Sequence, residues 1–174
     1  HKFPWQSPYS AMDNNPILKN DPTGESGEVT IDKASKVALV HMNINLYGSK
    51  ATMALAKATA SQIQNQYNQA NGKIKIGGVE YKVQFQVVGN VMLSGDPLRE
   101  MHTASQIANN KDIRNNYFRV EETTPKDVSF ATRLGNDGMY KFAEIAGAGK
   151  TTAGHEIVHG LGLEHNNPSG WQSK

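Results

Sequence analysis

Residues 155–165 read His-Glu-Ile-Val-His-Gly-Leu-Gly-Leu-Glu-His, the pattern H-E-x-x-H-x-x-G-x-x-H. No other stretch constrains the fold as much. Two histidines four apart can serve one ion if they are helical, because side chains at i and i+4 then lie one above the other on one face. Gly162 stands three residues beyond His159, where a helix that must stop wants a residue tolerant of positive φ. A chain that stops there can turn sharply and bring His165 back to the same ion. Three neutral imidazoles leave one position open on a four-coordinate metal, the arrangement of catalytic rather than structural zinc. Glu156 sits beside the first ligand, where a carboxylate can take a proton from water. A bare H-E-x-x-H arises by chance in about one of 100 chains of this composition, and the added Gly and third His lower that to roughly a few in 100,000.

Composition narrows the alternatives. The 174 residues suit one compact domain with a short appendage. At 37% apolar content there is enough for one core. A net charge of +2 without a Lys/Arg block favours neither nucleic acid nor a membrane surface as a partner. No apolar run has the length of a membrane span, and residues 1–10 lack a signal-peptide pattern. The absence of cysteine excludes disulfides, a cysteine nucleophile, a thiolate metal site and a cysteine-switch form of latency.

Residues 1–27 differ from the rest. They hold four of the seven prolines, Pro4, Pro8, Pro16 and Pro22, with Asp-Pro, Asn-Pro and Thr-Gly turn signals. Residues 36–47 read as a strand. Residues 50–71 carry Ala54, Leu55, Ala58, Ile63 and Tyr67 at helical spacing and end at Asn71-Gly72, a helix stop. Residues 73–76 and 79–88 flank Gly77-Gly78, a hairpin signal. Helical potential follows Asp96-Pro97, over 98–109. Residues 117–121, 128–133 and 139–145 read as short strands, with a turn at Asn136-Asp137-Gly138. The metal helix is predicted over about 151–161, capped by Thr151 or Thr152.

The histidine pattern is the signature of the metzincin clan of zinc metallopeptidases. The chain resembles that clan over the motif and, loosely, over the order strand, long helix, several strands, active-site helix. The resemblance implies an α+β, metzincin-like (zincin) fold: a twisted mixed sheet with a long helix and an active-site helix packed on one side. It implies that His155, His159 and His165 hold Zn2+ and that Glu156 is the catalytic base and acid. Metzincins also carry a methionine turn beneath the metal, after the third histidine. Nine residues follow His165 and none is Met or Tyr. Either the tail of a longer protein is missing from this chain or the site floor is built differently.

The opening segment carries a second resemblance. Phe3-Pro4-Trp5-Gln6-Ser7-Pro8-Tyr9, Asn14-Asn15-Pro16-Ile17 and Asp21-Pro22-Thr23-Gly24 are similar to the end of the core of RHS-repeat proteins. There this segment closes a β-cage and precedes a variable C-terminal toxin domain. The division implied is 1–27 as RHS-core tail and linker and 28–174 as the metallopeptidase domain. The partners implied are a protein or peptide substrate, an immunity protein guarding the producer, and the RHS cage of the parent chain. The location implied is secreted or cell-surface, as part of a larger protein delivered into target cells.

Competing signals are weaker. Gly147-Ala148-Gly149-Lys150-Thr151-Thr152 resembles the end of a phosphate-binding P-loop, but position 144, where that pattern needs Gly, is Glu. Glu144, Glu164 and Glu121-Glu122 are most simply surface carboxylates, and His41 and His102 ordinary histidines. An extended peptide is expected to add alongside an edge strand in front of the metal helix, with 127–133 and 139–145 as the candidate edges. A function of another class remains open: a non-catalytic, zinc-stabilised binding or adhesion module of a surface RHS protein.

Overall fold

The computed structural model describes residues 27–132 and 135–160; residues 1–26, 133, 134 and 161–174, with His165 and Gly162, lie outside the described residues. The chain order is β1 (Glu28–Asp32), β2 (Val37–Tyr47), α1 (Met53–Gln69), β3 (Lys73–Ile76), β4 (Val79–Val91), α2 (Pro97–Ala108), β5 (Asn115–Glu121), β6 (Phe130–Ala131), β7 (Asp137–Lys141), α3 (Phe142–Ile145) and α4 (Thr152–Gly160). This is an α+β fold on one mixed sheet.

β2 is the axis of that sheet. Its sequence alternates, so Ala38, Val40, Met42, Ile44 and Leu46 all face the core and are buried. Parallel β4 lies along one edge over its whole length. The other edge is shared: antiparallel β1 pairs with Val37–His41, and parallel β5 pairs with Asn43–Tyr47. The path runs β3-β4-β2-β5-β7-β6, with β3 and β6 antiparallel at its ends.

α1 covers the core face. Thr52 caps it by accepting from the Leu55 N–H at 3.1 Å, and Asn71 takes a left-handed φ of 50° just beyond its end. Ala56, Ala60, Ile63 and Tyr67 are its buried stripe. Burial of a side chain such as Ile63 stabilises the fold by about 1.5–3 kcal/mol. Contact is closest at Gly89 of β4, where a Cβ would land on the Ala56 carbonyl. Tyr67 stacks on Phe85 at 4.7 Å, and Phe118 on Tyr140 at 4.1 Å.

α4 shares this face, with Ala153 and Ile157 in the same core. α2 does not. Its contact Arg119 alternates with core-facing Phe118 and Val120, so α2 lies on the opposite face. Thr103, its only buried residue, bonds the Leu93 carbonyl at 2.5 Å.

One strand was unforeseen and two expectations need correction. β1 was not anticipated, because EVTID is short, polar and mostly exposed. Residues 139–145 are not one strand: β7 ends at Lys141, opposite the last residue of β5, and Phe142 onward has no strand to pair with and coils into α3. Asn136-Asp137-Gly138 is not a turn either. The Tyr117 N–H bonds the Asn136 carbonyl at 2.6 Å, and Asp137 and Gly138 join β7 opposite Tyr117 and Phe118. Of residues 128–133, Phe130 and Ala131 form β6.

Candidate active site

The candidate site is built on α4, and two phenols fix that helix to the sheet and to α1. The Tyr67 hydroxyl donates to the Gly154 carbonyl at 2.7 Å, and the Tyr140 hydroxyl to the Ala153 carbonyl at 3.3 Å. Burial pushes both phenols up, Tyr140 further so under the charge of Glu156, which keeps them protonated and donating. Gly154 packs closely against the side-chain amide of Gln66 of α1. With Ala153 and Ile157 turned inward, the helical period turns His155 and His159 away from the core; His155 is exposed and His159 half-buried.

The two imidazole centroids are 5.0 Å apart, with planes at 89°. Two rings bound through nitrogen at about 2 Å to one tetrahedral ion would have centroids roughly 5 Å apart. The spacing therefore fits a shared zinc ion. His165, the third ligand expected, lies outside the described residues. Among the described residues no group of three His, Asp or Glu is placed to hold a metal.

Glu156 points inward, toward the sheet edge, and is buried. Burial raises its carboxyl above the ordinary range, and the nearby Glu144 charge adds to this. His159, the Ala131 N–H bonded to the carboxylate, and Lys126 pull the other way.

The edge it meets is β6. The Thr132 N–H points to β7, bonding the Asp137 carbonyl at 2.8 Å. Alternation turns the Ala131 N–H outward, where Glu156 accepts it. Of the two candidate edges, β6 within 127–133 is at the end of the sheet, whereas β7 is interior, between β5 and β6.

Glu144, expected at the surface, is half-buried on α3 and accepts from the Ser129 N–H at 2.7 Å, pinning the approach to β6. The glycine loop before α4 is not a P-loop: α3 rather than a strand leads into it. Its Gly147 carbonyl instead accepts from Gln62 Nε2 at 2.7 Å. Glu122 is exposed as expected, but Glu121 is not a solvated carboxylate; Ser49 and Arg119 bond it.

Sequence reasoning missed Ala131, Lys126 and the anchoring roles of Tyr67 and Tyr140. Ala131 acts through its backbone, which leaves no mark on residue type. Tyr67 was legible as a buried helix position but not as a donor. No protein-family model, curated protein or solved structure matches the chain.

Proposed function

We propose that this chain is a zinc-dependent endopeptidase of metzincin-like kind, hydrolysing extended protein segments with Glu156 as general base and His155, His159 and His165 as ligands of Zn2+. One observation carries the reading: the complete H-E-x-x-H-x-x-G-x-x-H pattern, whose first two histidines lie 5.0 Å apart beside a buried carboxylate. The placing of α1 and α4 on one face of a mixed sheet, with an antiparallel edge strand against α4, supports it.

Zinc held by His155, His159 and His165 would supply Lewis-acid chemistry to the peptide carbonyl and to water. Glu156 is the residue to take a proton from the attacking water and return it to the leaving amine. The outward N–H and carbonyl of Ala131 pair with the substrate backbone, setting its direction along β6. Pairing draws the Ala131 N–H from the carboxylate to the substrate as the base is needed.

The toxin role follows the RHS-like opening segment: the domain would be the C-terminal part of a larger secreted or cell-surface protein, opposed in the producer by an immunity protein. No helix among the described residues is long and apolar enough to cross a membrane.

Two measurements test the reading. Metal analysis of the purified chain should find one zinc, lost in His159→Ala; unchanged zinc in that variant would show that the ligand set is wrong. Expression inside a bacterium should arrest growth in a Glu156-dependent way. Zinc retained with no Glu156-dependent phenotype or cleavage would point instead to a binding module.

A further inference from the structure

We propose that Lys126 selects an acidic side chain in the substrate, at the residue that falls opposite Phe130 when an extended peptide pairs with β6. The inference rests on the peptidase reading and adds a substrate class to it.

Strand register sets the geometry. Phe130 pairs with Met139, and Ala131 with Gly138. Gly138 faces the core, where a Cβ would come within 2.8 Å of Phe118 Cε1. Alternation therefore puts Ala131 on the α4 side of the sheet, packed against the core, and Phe130 on the other side. A peptide added along β6 alternates in the same way. The residue facing α4 meets Glu156, and its neighbour comes beside Phe130, at roughly 5 Å between opposed Cβ atoms.

Lys126 supplies the charge there. Its ammonium lies 4.5 Å from the Phe130 ring centroid, held by attraction to the ring face. Among the described residues no carboxylate pairs with it. Neighbouring Lys141, by contrast, is held by Asp127 at 2.7 Å. Lys126 is exposed. An acidic side chain arriving on this face of β6 finds an apolar floor in the ring for its methylenes and an ammonium for its carboxylate.

The test uses the zinc-loaded chain and a peptide set in which Glu, against Gln, is moved one residue at a time past a cleaved bond. One position should show about five-fold higher kcat/KM for Glu, the upper range for an exposed ion pair, fading at about 0.5 M salt. Labelled peptides binding to the Glu156→Ala variant should show the same ratio in Kd, without turnover. Lys126→Met should bring both ratios to one, Lys126→Arg should keep them, and Lys126→Glu should favour Lys over Glu in the peptide. Ratios near one throughout, or a preference that survives in Lys126→Met, would overturn the inference and leave the peptidase reading standing. Failure of the zinc-loaded chain to cleave any peptide would overturn both.

Discussion

The two ends of the sheet handle charge in opposite ways. Beyond the carboxyl ends of β2 and β5, a hollow of about 420 Å³ is lined by Ser49, Asp96, Glu100, Arg119 and Glu121. There the charges are matched. Arg119 binds Glu100 and Glu121 at 2.8 Å each, Ser49 donates to Glu121, and Asp96 caps α2 and pairs with Arg99. Beside β6 and α4 the charges are only partly matched: Asp127 holds Lys141, and Glu156 accepts the Ala131 N–H. Glu156 is buried with a raised carboxyl, and Lys126 rests on a ring without a carboxylate partner among the described residues. A matched network ties α2 to the sheet. Unmatched groups cost the fold stability and persist where chemistry uses them. On the proposed function, the end bearing α4 is the working one and the matched network serves the fold.

Substitutions can break this contrast. The largest structural effect is expected away from both regions, at Gly89, where α1 rests on β4. Gly89→Val should destabilise the fold by about 3 kcal/mol through overpacking, read as a lower midpoint in urea unfolding. A midpoint shift below a few tenths of a molar would show that α1 does not sit as close as described.

At the matched end, Arg119→Met should cost about 1–2 kcal/mol, because it leaves two partly buried carboxylates unpaired and near each other. The pH dependence has a definite sign. Burial works against the charged form of Glu121, but hydrogen bonds from Ser49 and Arg119 and the guanidinium charge outweigh it, so its carboxyl lies below the usual value of 4.5. A lowered carboxyl contributes stability that is present above pH 4.5 and lost as pH falls through the folded value. The stability gap between wild type and Arg119→Met should thus narrow as pH is lowered from 7 to below 4.5. A gap that widens on acidification would contradict the network.

At the open end, Lys126→Met should change stability least, by less than about 0.5 kcal/mol, as for an exposed side chain. Its effect belongs in substrate preference. A large loss of stability in this variant would make Lys126 a structural residue like Arg119 and erase the contrast.

Much of this was legible in the sequence, for identifiable reasons. Alternation in β2, the apolar spacing of α1 and the Gly77-Gly78 hairpin are periodic or turn-coded signals, and these elements fall where the periods place them. The ends of β7 and β6 depend on partners remote in sequence. Lys141 is the end of a strand because Glu121 is the end of its neighbour, and no local pattern encodes that. The site divides along the same line. His155, Glu156 and His159 were readable because one helix spaces them. Ala131, Lys126 and Tyr140 reach α4 only through the fold, and Tyr140 in particular reads locally as one more apolar strand residue.

The central claim is tested most directly by the rate at which the zinc-loaded chain hydrolyses an unfolded protein substrate, compared with its Glu156→Ala variant at equal zinc content. The account predicts a loss of about 100- to 10,000-fold, the contribution expected of a general base, with the metal retained. Equal rates in the two proteins would contradict it.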